Sequence, residues 1–76
     1  MKKSHNRKKT LARIAFGKIV RERRRDLDLT QEELAEKSDL HPTYIGSVER
    51  GERNIALENI IALARELGCS PKDLLP

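Results

Sequence analysis

Apolar residues recur at helical spacing along most of the chain, and the breaks between the runs carry residues that start and stop helices. Thr10 is a suitable N-cap. Ala12, Phe16, Ile19, Val20 and Leu27 follow with a helical period, which predicts a first helix from about Leu11 to Leu27 with Arg23 interrupting its stripe. Asp28 then stands where a helix prefers Gly or Asn to close, and Leu29 anchors the connection. Thr30 followed by Glu33 is a capping box: the hydroxyl accepts from the third backbone N–H while the carboxylate reaches back to the cap. A second helix therefore starts at Gln31, with Leu34 and Ala35 inward and Glu32, Glu36 and Lys37 outward, and ends near Ser38 with Asp39 in the turn. Proline is welcome at the first position of a helix but not inside one. His41 thus becomes the cap of a third helix from Pro42 to about Arg50, stopped by Gly51.

Beyond the loop Glu52–Ala56, a fourth helix begins near Leu57 and aligns Leu57, Ile60, Ile61, Ala64 and Leu67 on one face, with Leu63 at its edge and Gly68 as a stop. Ser70-Pro71-Lys72-Asp73 supplies a cap, an N1 proline and an acidic third position for a short fifth helix containing Leu74 and Leu75. The expected fold is all-α, a compact five-helix domain over residues 10–76, preceded by a disordered basic arm over 1–9. The apolar face of helix four is wider than a surface helix needs. Leu63, Leu67, Leu74 and Leu75 are therefore expected to form a homodimer interface built from helices four and five.

Charge sharpens this picture through its distribution. Residues 1–25 carry eleven Lys or Arg against Glu22 alone, whereas residues 26–76 carry five basic and eleven acidic side chains. The basic end is suited to phosphate, and the acidic end to solvent or a partner. No apolar run approaches a membrane span, and the N-terminal MKKSHNRKKT lacks the apolar segment and cleavage site of a secretory signal, so a cytoplasmic location is expected. Cys69 is the only cysteine and His5 and His41 the only histidines, too scattered for a metal site or a nucleophile–base pair. Neither an enzyme nor a cofactor or small-molecule ligand is expected. Phe16 and Tyr44 are the only aromatics, which argues against single-strand recognition by stacking.

The informative unit is QEELAEKSDLHPTYIGSVERG, Gln31 to Gly51, two short helices joined by a tight turn. Leu34, Leu40, Ile45 and Val48 occupy the inward positions that let such helices cross steeply, and Ala35 is small where the backbones approach. Thr43, Gly46, Ser47 and Arg50 are expected on an exposed ridge able to enter a major groove.

Here the sequence resembles the Cro and phage-repressor (XRE) type of helix-turn-helix regulators, and within it the controller proteins of restriction–modification systems. The resemblance spans Phe16 to Leu75. It rests on Phe16-Gly17 with Val20, Arg21 and Arg24, on LTQEELAEKSDL, on TYIGSVERGERNIALENI and on ALARELGCSPKDLL. It implies a lambda-repressor-like five-helix domain and a sequence-specific, double-stranded DNA-binding regulator that acts as a dimer, whose two-fold symmetry in turn calls for a pseudo-palindromic operator. Carried over by position, Thr43, Gly46 and Ser47 would read bases, and Gln31, His41, Tyr44, Arg50, Arg53 and Asn54 would contact the DNA backbone. Arg24 and Glu49 match a pair that ties helix one to helix three. Pro42 departs from the pattern where relatives place a long base-reading side chain, Arg23 replaces a leucine, and Ala56 replaces a Ser or Thr cap. An antitoxin-type partner-binding module is the alternative, although antitoxins carry an additional toxin-wrapping segment.

Overall fold

A computed structural model of the chain describes residues 9–76. Among the described residues there are four α-helices and no strand: α1 (Leu11–Asp26), α2 (Gln31–Ser38), α3 (Pro42–Glu49) and α4 (Leu57–Glu66), followed by one 3-10 turn, Pro71–Leu74. The disordered arm expected over residues 1–9 lies outside the described residues except for Lys9.

The helix starts follow from local chemistry. Thr10 accepts from the Arg13 N–H at 3.1 Å, and Thr30 and Glu33 exchange both bonds of a capping box at 3.0 and 2.8 Å. His41 caps α3 through Nδ1, which accepts from the Thr43 N–H at 3.0 Å. Ala56, with no side-chain oxygen, leaves the start of α4 without a side-chain cap bond. The ends of α1 and α2 are closed by Asp28 and Asp39, both left-handed at φ 58°, a conformation that the short polar Asp side chain tolerates. Gly51, at φ +80°, ends the turn after α3, where a Cβ would meet the Ile14 Cα at 2.9 Å.

α1 and α2 both pack on α3, while α4 packs on α2 and on the terminal turn. Phe16, Val20, Leu34, Ala35, Ile45, Val48, Leu63, Ala64, Leu67 and Leu74 form the core. Two expectations are corrected here. The fifth helix is a single 3-10 turn: Leu75 is already extended, as the residue before a proline is constrained to be. Leu63, Leu67 and Leu74, expected in a dimer interface, are 0%, 4% and 0% exposed in the monomer, because the terminal turn folds back over α4. Of that set only Leu75 remains on the surface. Leu57 and Ile61 of α4 are also exposed.

Candidate nucleic-acid interface

Glu49, at the end of α3, is the junction of three helices. Arg24 of α1 donates to it through Nε at 2.7 Å and Nη2 at 3.0 Å, and Gln31 of α2 donates through Nε2 at 3.0 Å. Arg24 also donates through Nη1 to the Leu29 carbonyl at 2.7 Å, fastening the connection between α1 and α2. Both partners of the ion pair are largely shielded from water. The hydrogen bond to Glu49 raises the Arg24 pKa above its ordinary value against the opposing effect of burial, so this arginine stays charged.

Above that junction lies a cleft of about 350 Å³ lined by Arg21, Arg24, Arg25, Gln31, Gly46, Glu49 and Arg50. Four arginines and one glutamate line it, and that glutamate's carboxylate is already engaged by Arg24 and Gln31. The start of α2 opens beside it, where the first backbone N–H groups of a helix lack intrahelical acceptors and favour an anion. Sequence reasoning does not mark Arg21 and Arg25 as site residues. Their four-residue spacing, which places two side chains on one helical face, is the signal that could have found them.

The outer face of α3 differs from the expected ridge. Thr43 and Arg50 are exposed, but Gly46 and Ser47 are buried. A Cβ on Gly46 would stand 3.2 Å from Arg50 Nη1 and 3.5 Å from Gln31 Oε1, so those two side chains lie over it. Arg50 is itself drawn into a bidentate pair with Glu52, at 3.0 and 3.2 Å. That hydrogen bonding raises its pKa.

On the neighbouring row of α3, Arg53 Nε donates to Ser47 Oγ at 2.9 Å, and its guanidinium carbon stands 5.2 Å from the centre of the Tyr44 ring. Tyr44 Oη accepts from Asn59 Nδ2 of α4 at 3.1 Å. Asn59 is likewise unmarked in the sequence, because nothing local to α4 signals a partner fifteen residues away. His41 and Asn54 are exposed at opposite ends of α3 and its following loop. With His41 Nδ1 occupied as an acceptor, the neutral ring carries its proton on Nε2 and can donate outward. Among the described residues no group of three His, Cys, Asp or Glu side chains could hold a metal ion, and no helix is long and apolar enough to cross a membrane.

Comparison with known proteins agrees with this architecture. A helix-turn-helix family profile matches residues 20–74. The chain is 48% identical over 64 residues to control protein C.BamHI of Bacillus amyloliquefaciens, covering 83% of this chain and 79% of that protein. It is 55% identical over 56 residues to control protein C.SmaI of Serratia marcescens, covering 74% and 67% respectively. The crystal structure of the restriction-modification controller protein C.AhdI from Aeromonas hydrophila superposes with a TM-score of 0.80 at 45% identity, covering 82% of this chain and 94% of that one. The chain therefore belongs to the helix-turn-helix family of transcription regulators, of the XRE type, and is not an enzyme; controller proteins of restriction–modification systems are among its homologues.

Proposed function

We propose that this chain is a cytoplasmic, sequence-specific DNA-binding controller protein of a restriction–modification system, acting as a homodimer on a pseudo-palindromic operator. The observation that carries the reading is the arginine-lined cleft beside α3. A cluster of arginines next to α3 and the N-terminus of α2 provides phosphate contacts beside an element that fits the major groove. In this reading Gln31, Arg21, Arg25, Arg50 and His41 position the protein on the sugar–phosphate backbone, while Thr43 reaches base edges from the first turn of α3. Asn54, in the loop after α3, adds a further backbone contact. Homology to two control proteins and to a restriction-modification controller protein supports the narrower assignment.

The homodimer draws on the exposed apolar side chains Leu57, Ile61 and Leu75. Two-fold pairing through that face duplicates α3, and the two copies then meet successive major grooves about 10 bp apart. Selection of bound duplexes from a random pool tests the reading. An inverted repeat with that spacing is expected. A pool that remains unenriched would sink DNA recognition, and enrichment of one half-site alone would sink the dimer.

A further inference from the structure

Ser47 lies on α3 at a position the sequence leads one to expect against bases, yet its single donor is already committed. The residue is 4% exposed, and its hydroxyl donates to the Tyr44 carbonyl at 2.7 Å while accepting from Arg53 Nε at 2.9 Å. A hydroxyl has one proton to give. Ser47 has therefore no donor left for a base.

Arg53 is placed in the complementary way. It is exposed and uses only Nε for hydrogen bonding; neither Nη group donates to any described residue. Its guanidinium lies over the Tyr44 ring within the range of a cation–π contact. The ring is fixed at its far end by Asn59 of α4. An arginine ordinarily gives up much of its rotamer freedom when it binds, and these contacts remove part of that freedom beforehand.

We propose that Ser47 and Tyr44 are positioning residues that hold Arg53 in a fixed orientation, presenting its two Nη groups to a pair of hydrogen-bond acceptors on duplex DNA. This inference rests on the DNA-binding reading above. Paired acceptors occur as two phosphate oxygens or as O6 and N7 of guanine, and a pre-oriented planar fork suits either. Ser47 then influences affinity through Arg53, and Tyr44 contributes its ring as a platform.

Two measurements on the full chain test this. In the DNA-free protein, nuclear magnetic resonance should show an Arg53 Nε–H that exchanges slowly and side-chain protons shifted upfield by the Tyr44 ring. Ser47→Ala should speed the exchange, and Tyr44→Leu should abolish the upfield shift. On DNA, Ser47→Ala should weaken binding several-fold, up to about tenfold, as expected when a side chain must be immobilised on binding instead of beforehand. The double variant with Arg53→Ala should be no weaker than Arg53→Ala alone, since the two act as one unit. Arg53→Lys keeps the charge but lacks both the Nε–H and the planar fork, so it should bind more weakly than Ser47→Ala; Tyr44→Leu, which removes the ring platform, preserves the test if Ser47→Ala fails to fold. A selected site that loses a guanine in Arg53→Lys identifies a base edge as the acceptor pair, and an unchanged site identifies phosphate. Unaltered Arg53 signals in Ser47→Ala, or effects that multiply in the double variant, would overturn the positioning role. A wild-type chain that bound no duplex would instead defeat the DNA-binding reading, while the resonance measurements would still decide whether Arg53 is held.

Discussion

Gly17 of α1 faces the backbone of α3 so closely that a Cβ at this position would stand 2.8 Å from the Glu49 carbonyl oxygen and 2.9 Å from its carbonyl carbon. The obstruction is backbone, which cannot swing aside as a flexible side chain can. Gly17→Ala gains about 1 kcal/mol of helix propensity but must push the two helices apart, and overpacking of this kind costs about 1–3 kcal/mol. A net loss of stability in urea denaturation is therefore expected. An alanine variant more stable than the parent would mean that α1 and α3 are not held at this separation.

The ion pair of Arg24 and Glu49 predicts an unequal response to two superficially similar substitutions. Their side chains are 10% and 3% exposed, and removing one member of such a buried pair leaves the other charge without compensation, at a cost on the order of 3 kcal/mol. Glu49→Gln should show that loss and should also weaken DNA binding, because Glu49 fixes Gln31 as well as Arg24. Glu66→Gln breaks the surface pair with Arg65 and should leave the unfolding midpoint almost unmoved. Equal effects from the two variants would remove the structural role assigned to the junction.

The local rules that sequence exposes are sufficient for the helices and insufficient for their surfaces. Thr30 and Glu33 are three residues apart, as are the partners of the Thr10 cap, so the same short stretch that defines the motif also builds it. Burial obeys no such rule. Periodicity shows that α4 is broadly apolar but not that the chain returns over it, which is why it assigns Leu63, Leu67 and Leu74 to a surface they do not occupy. Gly46 and Ser47 are covered by side chains from α2, from the end of α3 and from the loop after it, an arrangement made across the fold. The arginine cleft is legible only in part: Arg21 and Arg25 share a face of α1 by spacing, but that this face looks toward α3 follows from packing.

The cleft makes a prediction about salt. Removing one phosphate-bound cation should reduce the slope of log affinity against log salt by about 1. Arg21→Ala and Arg25→Ala are expected to show that change on any duplex, specific or not. Arg50→Ala should show less, since Glu52 already serves as its counter-charge, and Glu52→Gln should raise affinity by releasing it. Arg65, paired with Glu66 on α4 outside the cleft, is the control. Titrations at several salt concentrations check this, and a slope indifferent to Arg21 and Arg25 would exclude the cleft from the DNA interface.

Self-association is the last prediction, and it depends on separating apolar residues that hold the monomer together from those that are free to pair. Leu57 and Ile61, one helical turn apart on α4, are 67% and 44% exposed, and Leu75 is 53% exposed, whereas Leu63 on the same helix is fully buried. An aspartate at Ile61 should therefore abolish pairing without unfolding the chain, while an aspartate at Leu63 should unfold it by burying an uncompensated charge. Sedimentation at micromolar concentration is expected to give twice the 8.7 kDa chain mass for the parent and the single mass for Ile61→Asp. The variant should retain its affinity for an isolated half-site but lose the advantage of the two-half-site operator, because linking two sites turns the second binding event into an intramolecular one. A parent protein that sediments as a monomer, and binds one half-site as tightly as two, would end the dimer proposal. If Ile61→Asp remained dimeric and folded, the pairing surface would have to lie elsewhere than on the α4 face defined by Leu57 and Ile61.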